Sequence, residues 1–177
     1  MNSNKFVKTV LVGTGTLLIL AGGMTAVIDP FFHYHKPLKQ LEYPLERGKE
    51  RYLNNGIIQN FDYDAAITGT SMMQNFKTSQ FDDLFGTHSV KVTLTGDTYW
   101  AIDEEIRTIF DNKSDIKYIF RCLDYNKIFD DKSDYNYDNV PTYLYDNNIW
   151  NDVQYLFNKD IFIDNTLGVI KYTLHGE

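Results

Sequence analysis

Three short clusters in this 177-residue chain combine the residue types that acyl-transfer chemistry uses. Gly69-Thr70-Ser71 follows the apolar run Ala65–Thr68, Thr95-Gly96-Asp97 follows the alternating run Ser89–Leu94, and Asp124-Tyr125-Asn126 follows Ile116–Cys122. A serine on a tight strand-to-helix turn, close to the backbone N–H groups of a helix start, can be presented as a nucleophile beside an oxyanion hole. Each cluster also has a plainer use: Ser71 as a helix N-cap, Gly96 as a tight turn, and Asn126 as a strand-end loop residue.

Other side chains invite weaker chemistry. His33 and His35 alternate in Phe31-Phe32-His33-Tyr34-His35, so an extended backbone would put both imidazoles on one face as metal ligands; the plainer expectation is an aromatic collar at a membrane surface. Asp130, Asp131, Asp134 and Asp138 lack the glycine and terminal glutamate of an EF-hand loop and read as a solvated loop. His88 with Tyr135, Tyr137, Tyr143 and Tyr145 offers rings either for stacking on sugars or for packing a lid. Cys122, the single cysteine, forms no intramolecular disulfide and reads as a small core residue at a strand end. No cofactor and no metal is expected.

The elements that must position the three clusters are legible from Asp64 onward, where short apolar strands alternate with helical patterns, as in βαβ units around a parallel sheet. Adjacent parallel strands bring their carboxyl ends, and the residues just after them, to one edge. Ser79 and Asp82 form a capping-box pattern, and Asp97 or Thr98 is placed to cap the next helix. That helix carries Ile102, Ile106, Ile109 and Phe110 at helical spacing, with Asp103, Glu104 and Glu105 expected in its first turn. Beyond Asp124 the chain turns polar and tyrosine-rich, a long loop or lid; Ile149–Phe157 reads as a short helix, and Thr166–Leu174 as an exposed or unfinished terminal segment. The fold class expected is α/β, a partial doubly wound parallel sheet after one N-terminal transmembrane helix.

Thr9–Ile28 is free of charge and spans roughly the twenty residues that a helix needs to cross a bilayer core. Lys5 and Lys8 precede it and Asp29 follows, which places the N-terminus in the cytoplasm and the remainder outside. Ala21-Gly22-Gly23 is also compatible with signal cleavage, so anchor and cleaved signal both stand. The chain divides into a cytoplasmic N-terminus (1–8), a transmembrane or signal-anchor helix (9–28), a stalk and wrapping segment (29–63) holding three of the four prolines, and an α/β domain (64–177). The net charge of −7 becomes more negative still without Lys5 and Lys8, which argues against nucleic acid as partner. An exported domain without disulfides, rich in Asn, Asp, Lys, Ile and Tyr, fits a bacterial envelope protein, and its oligomeric state is open.

Ile67-Thr68-Gly69-Thr70-Ser71-Met72 resembles the first block of the SGNH/GDSL hydrolases, in which Gly-Asp-Ser follows the first strand. The resemblance implies Ser71 as nucleophile, Gly96 as the second-block glycine whose N–H holds the oxyanion, and Asn126, or less favourably Asp124, as the third-block residue. It covers roughly 64–129 and is nearest to the envelope branch acting on surface polysaccharides, implying an esterase or O-acyltransferase. Thr70 stands where the family has aspartate, and Leu123-Asp124-Tyr125-Asn126 replaces Gly-x-Asn-Asp. The family's closing D-x-x-H has no counterpart, since Tyr172 lies three residues before His175. Without that general base a serine hydroxyl is a poor nucleophile, so a truncated or split protein, weakly active or inactive alone, is expected. The alternative is a non-catalytic protein that binds a glycan or a partner.

Overall fold

A computed structural model describes residues 3–45, 48–131, 140–146 and 148–176. Asp134, Tyr135, Tyr137, Asp138 and Glu177 lie outside the described residues. The chain forms two compact units, one from Met1–Pro30, Pro37–Pro44 and Tyr143–Glu177, the other from Phe31–Lys36 and Leu45–Thr142. Tyr143–Glu177 thus groups with the N-terminal helix and not with the strands that precede it.

The second unit is a mixed α/β unit built on three parallel strands, β1 (Ala65–Gly69), β2 (Ser89–Thr93) and β3 (Tyr118–Arg121), in the order β2-β1-β3. Ala66 pairs with Val90 on one side and Ile119 on the other, so all three strands run in step. β1 is central and buried along its whole length, which explains its unbroken Ala-Ala-Ile-Thr-Gly run. Its odd and even positions serve opposite faces. Ala65 and Ile67 pack with Met73 and Phe81 from the β1–β2 connection, which holds a 3-10 helix (Ser71–Asn75) and α3 (Thr78–Phe85). Ala66, Val90 and Val92 pack on the other face with Ile58 of α2 (Glu50–Asn60) and Ile109 of α4 (Tyr99–Asn112). The two crossovers therefore cover opposite faces.

Several local expectations change. Asp82 is no part of an N-terminal capping box: α3 starts at Thr78 without a side-chain cap. The Asp82 carboxylate works at the other end, accepting from Thr87 Oγ1 (3.1 Å) and the Ser89 N–H (2.8 Å). Thr98 caps α4 by accepting from the Ala101 N–H, and the helix begins early enough that its first turn holds no acid. Asp103 instead pairs with Arg121, Glu105 is buried beside Asn54, and Phe110 faces solvent. The segment expected as a stalk contains α2, and Phe31 and Phe32 form no exposed collar. Both are buried, Phe31 against Tyr52 (5.0 Å between ring centroids) and Phe32 against Phe61 (5.3 Å). They pack inward because α2 gives their rings an apolar surface that burial rewards.

Asp64 ties the amino ends of all three strands. Its carboxylate accepts from Lys117 Nζ (2.6 Å) and the His88 N–H (2.7 Å), and its own N–H donates to the His88 carbonyl (3.0 Å). The Lys117 ammonium, then the His88 N–H, hold the Asp64 carboxyl below the ordinary aspartate range. A folded-state value below the unfolded one means stability that is present above the unfolded value and lost as pH falls through the folded one. Asp64→Asn is therefore expected to lower stability at neutral pH and to flatten its loss below about pH 4, measured as urea midpoints against pH.

In the first unit, α1 (Ser3–Ile28) is long and apolar enough to cross a membrane. Its C-terminal end is covered. Phe157 lies against Gly22, where an added Cβ would meet the ring at 2.9 Å, and Thr25 and Thr166 share a buried hydroxyl hydrogen bond at 3.3 Å. Tyr155 donates to the buried Asp29 carboxylate at 2.8 Å. The covering elements are α5 (Val153–Leu156), a π-helical turn (Ile161–Thr166) and α6 (Leu167–His175). The expected exposed tail at Thr166–Leu174 is thus a helix with Thr166 and Val169 buried.

Candidate functional site

The carboxyl ends of the three strands share one edge of the sheet, and each sequence cluster lies there. β1 ends on Gly69 at φ +144°, where an added Cβ would meet Met73 Cγ at 2.7 Å and Cys122 Cβ at 3.0 Å. Only glycine fits this turn without strain. Thr70 then follows in extended conformation, and Ser71 opens the 3-10 helix with its side chain exposed. Among the described residues the Ser71 hydroxyl makes no hydrogen bond, and it does not cap a helix, because Thr70 occupies the cap position.

The three loops are tied to one another. Thr70 Oγ1 donates to Asp124 Oδ2 at 2.5 Å, joining the β1 and β3 loops. Tyr99 Oη donates to the Asp124 carbonyl (2.7 Å) and Lys127 Nζ to the Gly96 carbonyl (3.3 Å), joining the β2 and β3 loops. Gly96 adopts φ +71° with open space around it, and Asn126 lies exposed in a 3-10 turn (Tyr125–Lys127). Ser71, Gly96 and Asn126 therefore occupy neighbouring loops of one edge. Of the two third-loop candidates, it is Asp124 whose carboxylate reaches the Ser71 loop.

Helix α2 adds residues that sequence reasoning assigned to a stalk. Glu50 Oε1 accepts from Thr95 Oγ1 (2.7 Å) and from Gln74 Nε2, linking α2 to the loops after β1 and β2. Burial pushes the Glu50 carboxyl up, but hydrogen bonds from Thr95, backbone amides and Gln74 outweigh it and hold it below the usual glutamate range. A carboxylate held that low is a weak proton acceptor. Arg51 donates through Nε (3.0 Å) and Nη2 (2.5 Å) to the buried Asp97 Oδ2. Leu53, Ile57 and Ile58 behind Glu50 are only a partial signal for α2, because the buried positions between them are Asn54 and Asn55.

The histidines of this unit sit elsewhere. His88 precedes β2 at the amino edge, and the His33–His35 stretch lies beside Asn60 and Asp62 on that side, with Asn60 Nδ2 donating to the Phe32 carbonyl (2.7 Å) and Lys36 paired with Asp62. His35 Nδ1 donates to the Lys36 carbonyl and His33 packs on Tyr34. Tyr143 and Tyr145 are half-buried in the other unit. Asp130 pairs with Lys127 at 2.9 Å, and among the described residues no three His, Cys, Asp or Glu side chains converge as metal ligands. Cys122 is half-buried beside Gly69; burial, with Asp124 nearby, pushes its thiol up, which keeps it protonated and unreactive at neutral pH.

No family model matches the chain, and comparison with curated proteins and solved structures finds no match.

Proposed function

We propose that the chain is a membrane-anchored, extracytoplasmic SGNH-like serine esterase or O-acyltransferase unit directed at cell-envelope polysaccharide, weakly active or inactive by itself. The observation that carries this is the exposed Ser71 at a glycine-enforced turn, on the same sheet edge as the Gly96 and Asn126 loops. In this assignment Ser71 is the nucleophile, and Gly96 and Asn126 donate to the oxyanion. Weak activity is expected because, among the described residues of this unit, no histidine lies at this edge to act as base. The carboxylates near the edge are engaged, Asp124 by Thr70, Asp97 by Arg51 and Glu50 by Thr95 and Gln74, while His33, His35 and His88 lie toward the opposite edge. The packing of Phe157 on Gly22 favours α1 as a retained anchor over a cleaved signal, because cleavage after Gly23 would remove that contact.

The same engaged carboxylates favour one second reading, a non-catalytic unit whose strand-end loops bind a glycan or a partner. Hydrolysis of an activated acetyl ester by the full chain in detergent separates the two. A slow rate that Ser71→Ala reduces to the uncatalysed level, and that added imidazole raises beyond imidazole's own background hydrolysis in the parent alone, is expected of the esterase. A rate that Ser71→Ala leaves unchanged removes Ser71 as nucleophile and leaves the binding role.

A further inference from the structure

We infer that the C-terminal elements α5 to α6 are a lipid-embedded cover on the outer end of α1, lying in the outer leaflet of the bilayer that α1 crosses. This rests on α1 being a retained span. At 1.5 Å per residue, Thr9–Ile28 measures about 30 Å, the thickness of the hydrocarbon core, so its outer boundary falls near Ile28. Gly22 then lies about 9 Å inside that boundary. Phe157 is packed on Gly22, and Thr166 is hydrogen-bonded to Thr25. Elements seated at that depth meet hydrocarbon on one side, so they must present an apolar stripe to lipid and turn their polar side chains toward the headgroups.

Val153 on α5 and Phe157 at its end are exposed, as are Ile163, Leu167 and Leu174 on the π-turn and α6, at spacings of four and seven residues. Asp164, Lys171 and His175 form a separate exposed polar stripe, Gln154, Lys159 and Asp160 are exposed polar positions on α5 and the turn after it, and Thr166 and Val169 are buried. Helix α6 thus has a buried side, an apolar side and a polar side, as expected of a helix lying where lipid meets water. Trp150, 82% exposed just before α5, has the amphipathic ring that favours the headgroup level. The apolar surface is continuous in character with the exposed Leu17–Leu20 stretch of α1, which is why lipid is the occupant proposed.

The test uses the full chain reconstituted into phosphatidylcholine vesicles, with and without brominated acyl chains. Trp150→Phe isolates the contribution of Trp150 from that of Trp100 by difference, and as an exposed aromatic exchange it leaves the fold intact. Brominated lipid is expected to quench about half or more of the Trp150 emission, with aqueous acrylamide having little effect. Flotation with vesicles together with quenching by acrylamide alone overturns the inference and leaves the anchor standing. Quenching by neither means that a second copy or another protein covers the segment, which also overturns it. A chain that fails to float with vesicles removes the anchor itself, and the inference with it.

Discussion

Gly56→Ala is expected to destabilise the α/β unit by about 3 kcal/mol, although alanine at a helix-interior glycine ordinarily stabilises by about 0.5–1 kcal/mol. Gly56 is buried in α2, and an added Cβ would lie 2.2 Å from the Phe31 carbonyl oxygen and 2.6 Å from that of Phe32. These are backbone atoms, so no rotamer change relieves the overlap, and the Phe31–Phe32 strand of chain must move off the helix. Both rings are buried, and the Phe32 carbonyl accepts from Asn60 Nδ2 at 2.7 Å. Phe32 is also held at φ +59°, a conformation costly for a bulky residue and kept here by that packing. Lifting the segment forfeits part of two phenylalanine burials, at about 2 kcal/mol each, and a hydrogen bond worth about 1 kcal/mol. Urea unfolding followed by far-ultraviolet circular dichroism measures the loss. A Gly56→Ala protein as stable as the parent would mean that Phe31 and Phe32 do not pack on α2.

Arg51→Ala is expected to cost a similar amount, about 3 kcal/mol, by stranding a charge. The Asp97 side chain is 7% exposed and takes both Arg51 donors on one oxygen. Its other oxygen accepts from the Thr98 N–H at 3.3 Å, at the start of α4. Removing the guanidinium leaves a carboxylate that water reaches poorly, next to the Gly96 turn. Most of the loss is expected to return in Arg51→Ala/Asp97→Asn, because the amide keeps an acceptor for Thr98 and carries no charge. The two single variants and the double close a cycle that isolates the pair. Additive losses would show that Arg51 acts through packing and not through Asp97.

The strands were legible because each is a short apolar run closed by a turn residue, and α4 because its isoleucines keep a single period. The strand-end positions of Ser71, Gly96 and Asn126 follow from those runs alone. Helix α2 was hidden by its polar core: Asn54 and Asn55 are buried, Asn54 donating to the Thr93 carbonyl at 3.1 Å, and they interrupt the apolar period that would announce a helix. Glu50 and Arg51 were missed with it, because their partners lie 45 and 46 residues away in sequence. At the C-terminus the π-turn adds one residue per turn and shifts the apolar phase between Ile161 and Val169, so an ordinary helical period does not fit. Thr70 in place of the aspartate of the resembled block acquires a role that local sequence does not reveal, a hydroxyl donor to Asp124 54 residues on.

The presentation of Ser71 as a nucleophile is tested most directly by treating the full chain with a fluorophosphonate and mapping the modified peptide by mass spectrometry, with Ser71→Ala in parallel. Slow labelling confined to Ser71, faster with added imidazole and absent in Ser71→Ala, is the expected result. A folded protein that stays unlabelled with imidazole present, or that is labelled equally in Ser71→Ala, would contradict it.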